Sequence, residues 1–226
     1  MIPLQDENPS RRIPFINGLI ILINLAVFIY QHYVFPWGAA PLFLRLGCIP
    51  YEFTHFVDID PRAAVPVPVT VLTAMFMHAG WLHLLGNMLF LWVFGDNIED
   101  KLGHLRYLFF YLVCGLAASL AHIVANPYSK VPSLGASGAI AGVMGAYLFL
   151  YPRARIKTLF IFLFFIQVIR IPAILMLGYW ILIQMLSGLA ESGSGGGGGI
   201  AWFAHIGGFG AGFVLIILMR KGKRRR

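Results

Sequence analysis

Two polar side chains stand in small, apolar surroundings in this chain. Ser137 lies in Leu134-Gly135-Ala136-Ser137-Gly138-Ala139-Ile140-Ala141-Gly142, and His205 in Ala204-His205-Ile206-Gly207-Gly208-Phe209-Gly210-Ala211-Gly212. Polar groups inside apolar spans are costly to keep and mark functional positions. A serine is a weak nucleophile until a base takes its proton, and a histidine is the commonest such base. The pair therefore points to hydrolysis at membrane depth.

His83 and Asn87 sit four residues apart and share a helix face. An amide donor such as Asn87 can stabilise a tetrahedral oxyanion. The backbone N–H of Ser137, at a helix start, is free to help. Taken singly, each group has a plainer use. Gly138 and Gly142 form a Gly-x-x-x-Gly, as do Gly208 and Gly212, and such faces let helices pack closely with Ser137 as a packing serine. Asn87 can bond between helices, and His83 and His78 can be interfacial histidines. Together the two glycine faces favour chemistry, because their packing would bring the hydroxyl to the imidazole. A zinc site is not expected, since His78 and His83 are off-face and no His-Glu-x-x-His occurs. The Gly-x-Ser-x-Gly elbow of soluble hydrolases is not met either, because position 139 is Ala.

The elements that must carry these groups are membrane helices. The 226 residues are 59% hydrophobic and 12% charged, which excludes an ordinary soluble domain. Six spans of roughly 20 residues are predicted, at about Phe15–Val34, Val69–Phe94, Tyr107–Ala125, Ser137–Tyr151, Pro172–Leu189 and Ile200–Met219. The apolar stretch Leu159–Ile169, broken by Arg170 and Pro172, reads as a re-entrant piece or a kinked extension of the fifth helix, and seven spans is the main alternative. No acidic residue falls inside a predicted span.

Charge orients the bundle. With both termini inside, only Arg45, Arg62 and Lys130 of the 17 Lys and Arg residues lie outside. That asymmetry predicts cytoplasmic termini. It also brings Ser137, His205 and His83 to one outer depth. The net charge of +8 then belongs to membrane edges and anionic headgroups, with no nucleic-acid partner expected.

The organisation expected is a cytoplasmic tail over residues 1–14, a bundle over 15–219 and a basic cytoplasmic tail over 220–226. A Pro-rich outer loop spans 35–68. A Gly/Ser-rich outer loop at 190–199, with Ser192–Gly199 at its centre, is either a linker or a mobile flap over the site. Cys48 and Cys114 are not expected to pair.

These residues resemble the rhomboid family of intramembrane serine proteases from about residue 16 to 219. The likeness rests on His83-x-x-x-Asn87, Gly135-Ala136-Ser137-Gly138 and Ala204-His205-x-x-Gly208-x-x-x-Gly212, in that order on three spans. Gly95-x-x-x-Glu99-x-x-x-Gly103 also resembles the family pattern. The resemblance implies an all-α six-helix bundle with a water-filled cavity open to the outer face. Ser137 would be the nucleophile, His205 the general base, and Asn87, His83 and the Ser137 N–H the oxyanion hole. Gly135, Gly138, Gly142, Gly208 and Gly212 would pack around the site. No metal or cofactor is implied. Partners would be transmembrane protein substrates, cut near the outer end of their helix, and membrane lipids.

Two features depart from the family pattern. The first outer loop lacks the Trp-Arg pair of many members. Ala141 stands where some members carry a tyrosine that stacks on the histidine, which leaves open what orients His205, with a nearby aromatic such as Phe209 as one candidate. A non-catalytic, client-binding member of the same superfamily is the alternative, although such proteins usually lack the serine or the histidine. A small transporter or channel would want internal repeats or a charged pathway, and neither is seen. A prokaryotic inner membrane is the expected location.

Overall fold

A computed structural model describes the chain except for residues 36–37, 61–64, 163–164, 194–199 and 220–226. Its helices are α1 (Phe15–Ile29, continued by a π turn over Tyr30–Val34), α2 (Ala39–Leu46), α3 (Pro50–His55), α4 (Thr70–Thr73, flanked by 3-10 turns), α5 (Trp81–Leu102), α6 (His104–Ala125), α7 (Ser137–Leu150), α8 (Ala173–Gly193) and α9 (Trp202–Met219). Among the described residues, four helices are long and apolar enough to cross a membrane: Phe15–Val34, His104–Ala125, Ala173–Glu191 and Trp202–Met219. The bent pair Val67–Phe76 and Trp81–Leu102 makes a fifth if counted as one span. The fourth predicted span, α7, has 14 residues. At about 1.5 Å per residue it falls short of the hydrocarbon thickness, and its residues Gly138 to Tyr147 are all buried. It is the central post of the bundle.

The second predicted span is not continuous. It breaks at Met77–Gly80, where the helix axis turns by 80°. The break survives because Gln31, 1% exposed on the π turn, serves the freed backbone. Its amide donates to the His78 carbonyl and accepts from the His78 N–H at 3.4 Å. Irregular backbone inside a bundle is tolerated only when protein groups satisfy it in this way.

The expected all-α architecture needs a larger correction. Residues 155–162 and 165–172 are neither re-entrant nor part of the fifth helix. They form an antiparallel hairpin of β2 (Arg155–Phe162) and β3 (Phe165–Pro172), with Arg155 opposite Pro172 and Ile161 opposite Ile166. Ile156, Thr158, Ile161, Ile166, Val168, Ile169 and Ile171 make the segment rich in β-branched side chains, which suit a pleated surface better than a helix. The residues taken for a tail supply an edge strand, β1 (Ile2–Asp6), which pairs with β2 in the order β1-β2-β3. Pro3 is tolerated there because an edge strand needs no donor on its open side.

The Gly95, Glu99, Gly103 pattern has a structural use. The span predicted to end at Phe94 runs on to Leu102, so Glu99 is carried fully buried inside α5. Its carboxylate accepts the N–H groups of Ile16 at 2.9 Å and Asn17 at 2.8 Å, two orphan donors at the start of α1. Gly95 makes room for Asn17, which accepts from the Tyr107 hydroxyl at 2.7 Å.

The sheet is anchored to this end through Asp6. Its carboxylate accepts from Tyr147 Oη at 2.7 Å and from Asn97 Nδ2 at 2.8 Å. Burial, followed by the nearby Asp96 carboxylate, raises the Asp6 carboxyl from 3.8 to about 6 against the opposing Tyr147 bond. The folded protein thus holds this proton more tightly than the unfolded chain. The resulting stability is fully present below pH 3.8 and is lost as pH rises to about 6. Asp6→Asn keeps an oxygen for both donors. It is expected to melt at or above wild type at neutral pH and to flatten the wild-type fall in melting temperature across that window. An unchanged pH profile in the variant would show that Asp6 is not the group responsible.

Candidate active site

The site is built where α5, α7, α8 and α9 meet. Ser137 opens α7, and the strand-like segment before it is pinned by backbone bonds. Cys48 N donates to Ser133 O at 3.0 Å, Ser133 N to Cys48 O at 2.8 Å, and Gly135 N to Ala74 O at 2.8 Å. Gly135 has φ +124°, a conformation that favours glycine. A Cβ there would lie 2.8 Å from Cε1 and Nε2 of His83 and 3.7 Å from Nδ2 of Asn87. Only glycine thus lets the chain turn into Ser137 beneath those two side chains.

Ser137 Oγ lies 2.8 Å from His205 Nε2. The two residues are 68 apart in sequence, and the approach of their helices makes the contact. A Cβ on Gly208 would stand 2.0 Å from Gly138 O, and one on Gly212 2.0 Å from Gly142 O. The other side of α7 meets α6 closely as well: a Cβ on Gly138 would stand 2.6 Å from Ala118 Cβ, and one on Gly142 2.4 Å from Cys114 Cβ. All five glycines named from the sequence therefore lie at close approaches that a side chain would obstruct.

Asn87 is 8% exposed. Its Nδ2 is buried without a hydrogen-bond partner among the described residues. An unpaired buried donor is costly to a fold, and this one lies beside the turn that leads to the serine. His83 Nδ1 receives a long bond of 3.5 Å from Ala79 N. His78 is fully buried, with its ring 5.0 Å from that of His83. Ser137, His205, His83, Asn87 and Trp180 all line one cavity of about 1150 Å³. A hydroxyl, an imidazole and an amide donor thus face a common space large enough for a peptide segment.

The structure places groups from α8 and α9 around His205. Phe209 stacks on Trp180, centroids 6.2 Å apart, rather than serving the histidine. His205 is flanked by Trp180 at 5.6 Å and by the edge of Trp202 at 6.4 Å. Its Nδ1 lies 2.7 Å from Gln184 Oε1. Trp180 and Gln184 were not singled out from sequence, yet a signal was present. Gln184 interrupts the apolar run Trp180-Ile181-Leu182-Ile183-Gln184-Met185-Leu186, and a polar residue inside a span is a functional candidate. The Gly/Ser loop divides: residues 190–193 belong to α8, while 194–199 lie outside the described residues, as does the basic tail 220–226.

Residues 67–222 match a family model described as Rhomboid domain. Similar proteins include Rhomboid-like protein 11, chloroplastic, of Arabidopsis thaliana, 32% identical over 62% of this chain and 43% of that protein. Rhomboid protease GluP of Bacillus subtilis (strain 168) is 44% identical over 35% of this chain and 15% of its own length. Rhomboid protein 1, mitochondrial, of Saccharomyces cerevisiae is 31% identical over 62% of this chain and 38% of its own. The matched region is less than half the length of each of these relatives.

Proposed function

The chain belongs to the rhomboid family and is a multi-pass membrane protein, and on that premise we propose that it is an intramembrane serine endopeptidase. The observation that carries this reading is the 2.8 Å contact between Ser137 Oγ and His205 Nε2 at the wall of a shared cavity. In the proposed reaction His205 Nε2 takes the Ser137 proton as Oγ attacks the scissile carbonyl. The oxyanion receives hydrogen bonds from Asn87 Nδ2 and the Ser137 N–H, with His83 beside them. Collapse of the tetrahedral intermediate breaks the C–N bond, and His205 passes the proton to the departing amine. Water, deprotonated by the same imidazole, then hydrolyses the acyl-enzyme and returns the proton to Ser137. The dyad requires no metal or cofactor for these steps.

The substrates proposed are transmembrane proteins, cut near the outer end of their helix at small residues, with membrane lipids as the surrounding partner. Six crossings with both termini in the cytoplasm complete the reading: the four long helices, the bent pair and the short α7. Pairing of β1 with β2 supports a common side for the N-terminus and the α7–α8 connection. The named relatives include chloroplastic and mitochondrial proteins. Family membership therefore does not by itself select the prokaryotic inner membrane that we expect.

The test is covalent trapping. A fluorophosphonate added to purified protein in detergent is expected to label wild type at Ser137 and to leave His205→Ala unlabelled. Labelling of both alike would sink the dyad. Labelling of neither, with folding confirmed by a thermal melt, would favour a non-catalytic client-binding protein.

A further inference from the structure

Gln184 is 6% exposed, so its amide must find partners inside the bundle. Its Nε2 donates to the Trp180 carbonyl at 3.4 Å, one turn back along α8. A carbonyl only accepts, so the NH₂ end of the amide belongs there and the oxygen end faces His205. That oxygen lies 2.7 Å from His205 Nδ1. An amide oxygen is itself only an acceptor, so Nδ1 must carry the imidazole hydrogen. Nε2 then bears the lone pair, and it lies 2.8 Å from Ser137 Oγ. The Trp180 ring, 5.6 Å from the imidazole and tilted by 40°, borders it from the same helix.

We propose that Gln184 is a positioning residue that holds His205 in the tautomer able to accept the Ser137 proton. The chain would thereby carry a Ser137–His205–Gln184 array in which a neutral amide stands where serine triads place a carboxylate. This rests on the reading of His205 as the general base. It also answers the absence of a ring at Ala141: α8, rather than α7, orients the base. The amide fixes the direction of the proton without bringing a charge into the bundle, where an unpaired carboxylate would be costly.

Gln184→Met keeps length and apolar packing but removes the acceptor. Gln184→Glu keeps an acceptor oxygen at the cost of charge. A role in packing alone would make the Met variant the better tolerated of the two. The proposal expects the reverse. Gln184→Met should lose about tenfold in kcat, the scale of one net hydrogen bond, with KM unchanged, while Gln184→Glu stays nearer wild type. Met at wild-type kcat, or Met better than Glu, overturns it. A second measurement needs no variant of Gln184 to fold and no substrate to be cleaved. Nitrogen-15 spectra of histidine-labelled wild type, with the His205 signal assigned by its loss in His205→Asn, are expected to show Nδ1 protonated in the neutral imidazole. A hydrogen on Nε2 overturns the proposal even if Ser137 reacts with the fluorophosphonate. Failure of that labelling, by contrast, would count against the protease reading.

Discussion

Ser137→Ala is expected to abolish cleavage of a transmembrane substrate co-reconstituted in liposomes, while the protein still inserts and melts close to wild type. Removing Oγ leaves nothing to form the acyl-enzyme. Deleting the nucleophile of a serine dyad or triad costs on the order of 10⁶ in kcat, which lies below detection in such an assay. The fold has little to lose. Ser137 is only partly buried, and its hydroxyl is bonded to His205. Ser137 makes no side-chain cap bond to α7, so alanine costs the helix start little. The loss should therefore appear in turnover and not in the melt. Cleavage retained by the folded variant would refute Ser137 as the nucleophile.

Gly212→Ala is expected to damage both stability and activity, although it adds one methyl group far from the reacting atoms. The new Cβ would stand 2.0 Å from the carbonyl oxygen of Gly142, 2.4 Å from its carbon and 2.5 Å from its Cα. All three are backbone atoms of the central helix, so no side chain can swing aside. The only relief is to part α7 from α9. Overpacking of this kind costs about 1–3 kcal/mol and occasionally more. Parting these helices also lengthens the Ser137–His205 contact, and a displacement of about 1 Å can cost 10²-fold in rate. Gly210→Ala is the control, because a Cβ there meets nothing within 4 Å. It should melt and cleave like wild type. If Gly212→Ala matches that control, the close approach of the two helices is not what aligns the site.

How much of this was legible in the sequence differs from element to element. The apolar runs located α1, α6, α8 and α9, because an uninterrupted hydrophobic segment of sufficient length has one low-energy form in lipid, the helix. Glycines at four-residue spacing named the faces of α7 and α9 that meet. The hairpin over 155–172 was missed because a short apolar run carries no periodicity that separates strand from helix. Its partner strand also comes from residues 2–6, far away in sequence. The break at Met77–Gly80 was missed for a related reason. What makes it tolerable is an amide at Gln31, on another helix, and local composition does not reveal that partner.

From the sequence came the inventory: a membrane chain with Ser137 and His205 in small-residue surroundings, His83 and Asn87 one turn apart, and glycines where helices must touch. Those properties are local, set by side-chain chemistry and by the length of apolar runs. The tertiary structure alone decided which groups meet. It put Ser137 at 2.8 Å from His205 across 68 residues of chain. It left Asn87 Nδ2 without a hydrogen-bond partner among the described residues, beside the turn at Gly135, and it brought Gln184 rather than Phe209 to the far side of the imidazole. Hydrogen bonds act over about 3 Å, and no sequence spacing specifies a distance of that kind between separate helices. Only the packing of the whole bundle does.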